Sequence, residues 1–103
     1  MLRRRRFHDL VERQLDLFAT DEALLLEEAL EADGNWTNAA AEDSEELYGD
    51  YQLVVDAIGE RLHDIRETYA ARLDEDAADD YRATFNRAAE KRFRRFAGLL
   101  EDE

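Results

Sequence analysis

The sequence predicts an all-α protein, and three observations carry that prediction. There is no proline in 103 residues, and proline is the residue that most often breaks a helix. Ala, Leu, Glu and Arg, all strong helix formers, are abundant. Apolar residues recur at steps of three and four over long stretches, the rhythm that lines one side of a helix. The length suits one domain with a single modest core. The expected architecture is an antiparallel, up-down-up bundle of three long helices, over roughly 4–33, 44–73 and 76–100, within one domain spanning 1–103. Residues 1–6 read as a basic arm, 34–43 as a connecting loop and 101–103 as an acidic tail.

In the first helix Phe7, Leu10, Leu17, Phe18, Leu24 and Leu25 follow the helical rhythm. Thr20-Asp21-Glu22 also reads as a capping sequence, which leaves open a break near Thr20 and a count of four helices. Asp33-Gly34 and Asn35-Trp36-Thr37-Asn38 then mark a loop, with Gly34 suited to the left-handed position past a helix end. Ser44, followed by Glu45 and Glu46, reads as an N-cap with acids in the first turn. Leu47, Tyr51, Val54, Val55, Ile58, Leu62, Ile65, Tyr69 and Leu73 form the stripe of the second helix. The apolar rhythm lapses at Asp74-Glu75-Asp76, and Tyr81, Phe85, Ala88, Ala89, Phe93, Phe96, Leu99 and Leu100 give the third helix its stripe.

Charge placement favours three helices over four. In an up-down-up bundle Arg3 to Arg6 lie beside the acidic turn at 74–80, and Lys91, Arg92, Arg94 and Arg95 approach the acidic 33–46 connection. A four-helix arrangement leaves the 74–80 turn without basic neighbours. The preference is modest, because surface ion pairs are individually weak.

Composition narrows the function. With no cysteine, disulfides, thiolate chemistry and cysteine zinc sites are excluded. The formal charge is −13, from 27 acidic and 14 basic residues. That charge disfavours nucleic acid and anionic membranes as partners. No apolar run approaches the roughly 20 residues that span a bilayer. The arginines at 3–6 lack the apolar stretch of a secretory signal, so a cytoplasmic location is expected and the Asn35-Trp36-Thr37 sequon reads as a chance match. Ser44 is the lone serine, and Gly34, Gly49, Gly59 and Gly98 are isolated. Neither a nucleophile–histidine pair nor a phosphate-cradling loop is indicated. No enzyme and no cofactor are expected.

Candidate sites remain. Glu60 and His63 match the Glu-x-x-His spacing by which di-iron helical bundles place two ligands on one helix; Glu27, Glu28 or Glu31 are the available further carboxylates. Against this, about 100° per residue turns Glu60 and His63 some 140–160° away from Ile58, towards solvent. Arg3 to Arg6 are the best candidates for phosphate contact, with pairing to acidic residues the preferred use. His8 reads as an exposed terminal residue. Trp36, alone in a polar connection, either covers a bundle end or anchors a partner. Gln14, Asp21 and Glu28 interrupt the inward stripe of the first helix, and Arg92 that of the last, so Glu28 and Arg92 are expected to form a buried pair, with Asp21 the alternative. Leu15, Leu26 and Leu30, with Ala19 and Ala23 between them, give the first helix a second apolar face. That face predicts a homodimer. The reading is thus a non-enzymatic helical interaction module, a small homodimeric adaptor or regulator that pairs with itself and with another protein. A ferritin-like metal-binding dimer is the alternative, and an acidic regulator or nucleic-acid binder using the arginine arm the third.

Overall fold

The computed structural model describes residues 6–94. Among the described residues there are four helices and no strand: α1 (His8–Asp21), α2 (Ala23–Thr37), α3 (Ala41–Ala70) and α4 (Glu75–Arg92). The all-α class is as expected; the three-helix bundle is not, because the first helix is two. Glu22 leaves helical geometry at φ −111°, ψ 31°, and no side chain caps either helix at this junction. The backbone ladder nearly persists through it, with Glu22 N–H donating to the Phe18 carbonyl at 2.8 Å and Leu26 N–H to that of Glu22 at 3.0 Å. The junction is a kink that redirects the chain.

The loop expected over 34–43 shrinks to residues 38–40. Gly34 lies inside α2 and adopts no left-handed conformation. The last turn is held by Trp36, which stacks on Tyr51 at 6.1 Å and packs against Tyr48 at 5.0 Å. Aromatic packing here outweighs the loop preference of glycine and asparagine. Ala40 occupies the N-cap position of α3, in extended geometry and with no side-chain bond, and Ser44 lies within the helix instead of capping it. The Asp74 run does behave as expected. Its carboxylate accepts from the Ala77 N–H at 2.9 Å, with Glu75 and Asp76 in the first turn of α4. Asp74→Ala is expected to lower unfolding stability by about 1 kcal/mol, read as a shifted urea midpoint with an unchanged slope.

Helix lengths set the packing. At about 1.5 Å per residue, the 30 residues of α3 reach roughly 45 Å and the 18 of α4 only about 27 Å. The molecule is accordingly elongated, 51 × 25 × 23 Å. α4 runs back along the C-terminal half of α3, where Arg82 meets Glu67 and Asn86 meets Arg66. α1 packs against α4 at both ends, through Phe7 at its N-cap on Tyr81 at 5.5 Å and Phe18 on Phe93 at 5.6 Å. α2 lies along the N-terminal half of α3. The core is formed by Phe7, Val11, Leu15 and Phe18 of α1 with Ile58 and Leu62 of α3 and with Tyr81, Phe85, Ala89 and Phe93.

This arrangement overturns the pairing expected for Arg92. The described chain beyond α4 ends near α1, so Arg92 bonds Asp16 and lies 3.6 Å from Glu12 instead of approaching the 33–46 connection. Arg6 sits over the Phe7 ring at 5.1 Å. Arg3 to Arg5, Arg95, Phe96, Leu99, Leu100 and the tail at 101–103 lie outside the described residues. No helix among the described residues is long and apolar enough to cross a membrane.

Candidate interaction surface

The expected dimer face does not survive folding. Leu15 is fully buried and Ala19 half-buried. Glu12 and Asp16, on either side of Leu15 along this face, reach Arg92 of α4. The row of Leu15 and Ala19 is therefore turned into the molecule, against α4. Leu26 packs on the core and Leu30 stays 49% exposed. Trp36 is half-buried against its two tyrosines. Conversely, Leu17 and Leu24, expected in the core, are 57% and 81% exposed, and Leu53 on α3 is 70% exposed. The core of α1 runs Phe7-Val11-Leu15-Phe18, which turns Leu10, Gln14, Leu17 and Asp21 towards a different side.

That side is an open groove. Its upper part, about 410 Å³, is lined by Gln14, Leu17, Phe18, Asp21 and Glu22 on one wall and by Arg61, Asp64 and Ile65 on the other. A continuation of about 420 Å³ passes Thr68, Tyr69 and Arg72. On α3, Arg66 and Glu67 point at α4. Asp64 and Thr68 lie about 160° round the helix from Arg66. The groove therefore runs between α1 and α3 on the side away from α4. Leu24, on α2 beyond the kink, follows Asp21 by three residues and Leu17 by seven. Leu53 and Ala57 precede the second wall on α3, in the series Leu53-Ala57-Arg61-Asp64-Thr68 of three- and four-residue steps.

One charge bridge crosses the groove. Arg61 Nη1 bonds Glu22 Oε2 at 2.7 Å, pinning the α1–α2 kink to α3. Above that bridge the chain is acidic, with 14 Asp and Glu and no Lys or Arg from Asp16 to Glu60. Asp21, Glu28, Asp50 and Asp64 are all exposed.

The other candidate residues do not assemble. Glu28 and Glu60 are exposed, and His63 is partly exposed with Asp64 at 4.0 Å. Among the described residues no three His, Asp or Glu side chains come close enough to hold a metal ion. The Glu28–Arg92 pair is also absent. Glu28 sits on the solvent side of α2 and Arg92 is taken by Asp16, because α4 does not reach the level of Glu28. His8 is exposed beside Asp9.

The sequence reading missed the interior charge, Arg66, which is 2% exposed. Its Nε donates to Glu67 at 2.7 Å and its Nη1 to Asn86 Oδ1 at 2.8 Å. Arg82 clamps the same Glu67 carboxylate with two bonds of 2.9 Å. The hydrogen bond from Arg82, reinforced by that from Arg66, holds the Glu67 carboxyl at about 2, below its ordinary 4.5. The available signal was position, since Arg66 falls four residues after Leu62 and four before Ala70. Nearby, the Tyr81 hydroxyl donates to Gln14 Oε1 at 2.8 Å, and burial pushes its pKa up to about 12. Both clusters hold helices together, and Gln14 of the second also lines the groove. Comparison with protein-family models, with curated proteins and with solved structures returns no match.

Proposed function

We propose that this protein is a non-enzymatic interaction module, a small adaptor or regulator that receives a partner helix in the α1–α3 groove. One observation carries the reading: Leu17 lines an open groove floored by apolar side chains while 57% exposed, and Leu24 and Leu53, 81% and 70% exposed, follow at helical steps beyond its upper end. Scattered surface leucines are ordinary, whereas apolar side chains aligned along a groove floored by Phe18 and Ile65 mark an association site. The groove has the form by which one amphipathic helix accepts the apolar side of another. A homodimer centred on Leu15, Leu26 and Leu30 is not part of this proposal, since Leu15 is interior.

The test is a titration of the isotopically labelled protein with a helical peptide of about five turns, carrying leucines on one side and glutamine on the other. Saturable amide shifts are expected at Leu17, Asp21, Asp64 and Ile65, with Leu17→Gln weakening binding several-fold and leaving helicity intact. Shifts that never saturate, or that map to the outer side of α4, would remove the proposal.

A further inference from the structure

Resting on that docking reading, we infer that the natural occupant is a basic amphipathic helix from another protein, with Lys and Arg along the edges of its apolar stripe. The apolar floor of the groove asks only for an apolar stripe; the rim sets the charge. On the first wall Asp21 lines the groove beside Leu17, and Glu28 follows it at seven-residue spacing on α2. On the second, Asp64 lines the groove, and Asp50, Leu53 and Ala57 precede it on the same helix. All four carboxylates are exposed. Of the two cations lining the groove, Arg61 is held by Glu22 at 2.7 Å, and Arg72 belongs to the far end. No Lys or Arg occurs anywhere from Asp16 to Glu60, so nothing in α2 or the N-terminal half of α3 offsets these acids. A second copy of the chain seated in the same groove would bring its own Asp21, Glu28, Asp50 and Asp64 against this rim, at separations within a Debye length of about 8–10 Å. A helix with basic edges meets Asp21 and Asp64 at the groove instead, with Glu28 and Asp50 on the helices beyond it, which gives specificity and faster association on top of apolar burial. Arg72 at one end and the acids at the other also give the groove a direction, so an acidic residue at one terminus of the partner helix completes the match.

Three model peptides with the same leucine stripe test this, their edges built from Lys and Arg, from Gln or from Glu, with binding followed by calorimetry and amide mapping. The basic peptide is expected to bind at least about tenfold more tightly than the Gln peptide at low salt, and the Glu peptide more weakly than either. The preference should fall as salt rises. Leu53→Glu separates docking from general attraction of a cation to an acidic protein. It adds a negative charge yet should weaken the basic peptide about tenfold, and at an exposed position it leaves helicity unchanged. Tighter binding by Leu53→Glu, or equal binding of the basic and Gln peptides, overturns the inference while leaving a docking groove in place. A wild type that is dimeric by light scattering at tens of micromolar, and that Leu53→Glu renders monomeric, overturns it in favour of a second copy. Binding of none of the three peptides removes the docking reading as well.

Discussion

Leu15→Glu is expected to abolish cooperative unfolding, whereas Leu17→Glu, two residues further on, is expected to leave the thermal midpoint nearly unchanged. Leu15 has no exposed surface and stands between Val11 and Phe18 in the one cluster that unites α1, α3 and α4. Truncating such a leucine to alanine costs about 2–5 kcal/mol through lost burial and the cavity left behind. A carboxylate at that site adds the desolvation of a buried charge. A domain of this size has a total stability of about 5–15 kcal/mol, so the sum approaches or exceeds what holds it folded. Leu17 is 57% exposed at the groove edge, and substitutions at such positions stay within about 0.5 kcal/mol. Thermal unfolding followed by far-ultraviolet circular dichroism measures both. A folded Leu15→Glu variant, or an unfolded Leu17→Glu, would mean that α1 is rotated from the orientation described.

That contrast also locates what the sequence could and could not disclose. The stripe of α3 was legible because one row is much more apolar than the others. Val54, Val55, Ile58, Leu62, Ile65 and Tyr69 are all buried or partly buried. The first helix offers two rows of comparable quality. Phe7-Val11-Leu15-Phe18 and Leu10-Gln14-Leu17-Asp21-Leu24 both advance by threes and fours, and local periodicity does not rank them. What ranks them is α4: Phe93 meets Phe18, and Arg92 meets Asp16, only if the first row faces inward. The choice is tertiary. The same ambiguity hides the groove, since Leu17 and Leu24 follow the rhythm expected of a core and Leu15 that of a second face. The break at Glu22 was visible as an alternative at Thr20-Asp21-Glu22. Charge placement favours the unbroken helix only if α4 reaches the 33–46 connection, and Arg92 meets Asp16 instead. The Gly34-Asn35 loop signal failed for another reason: Trp36 reaches Tyr48 and Tyr51 only if the helix runs on to Thr37.

The second large effect belongs to the interior charge cluster, and it depends on pH. Glu67→Gln is expected to cost about 3 kcal/mol at neutral pH, the lower end of the range for removing one partner of a buried pair. The lower end applies because the Glu67 side chain is 32% exposed and partly hydrated, while that of Arg66 is 3% exposed and is not. Without the carboxylate, Arg66 loses its charged partner at 2.7 Å and keeps the carbonyl oxygen of Asn86. The folded protein holds the Glu67 carboxyl at about 2 against an ordinary 4.5, so the folded state binds this proton less readily than the unfolded chain. The resulting stability is fully present above about pH 4.5 and is lost as pH falls through about 2. Glutamine does not titrate. The gap between wild type and Glu67→Gln should therefore stay constant from neutral pH to about 5 and close between about 4.5 and 2. Urea midpoints at a series of pH values measure it, and a gap that stays constant down to pH 2 would show that the carboxylate is not the stabilising form. Adding Arg66→Met to Glu67→Gln removes the buried cation together with its partner. Replacing both charged groups by an apolar and a neutral one of similar volume is close to neutral in free energy. The double variant should recover most of the stability that the single one loses. If it loses more than Glu67→Gln alone, Arg66 stabilises the α3–α4 packing through Asn86 and its alkyl stem rather than through charge.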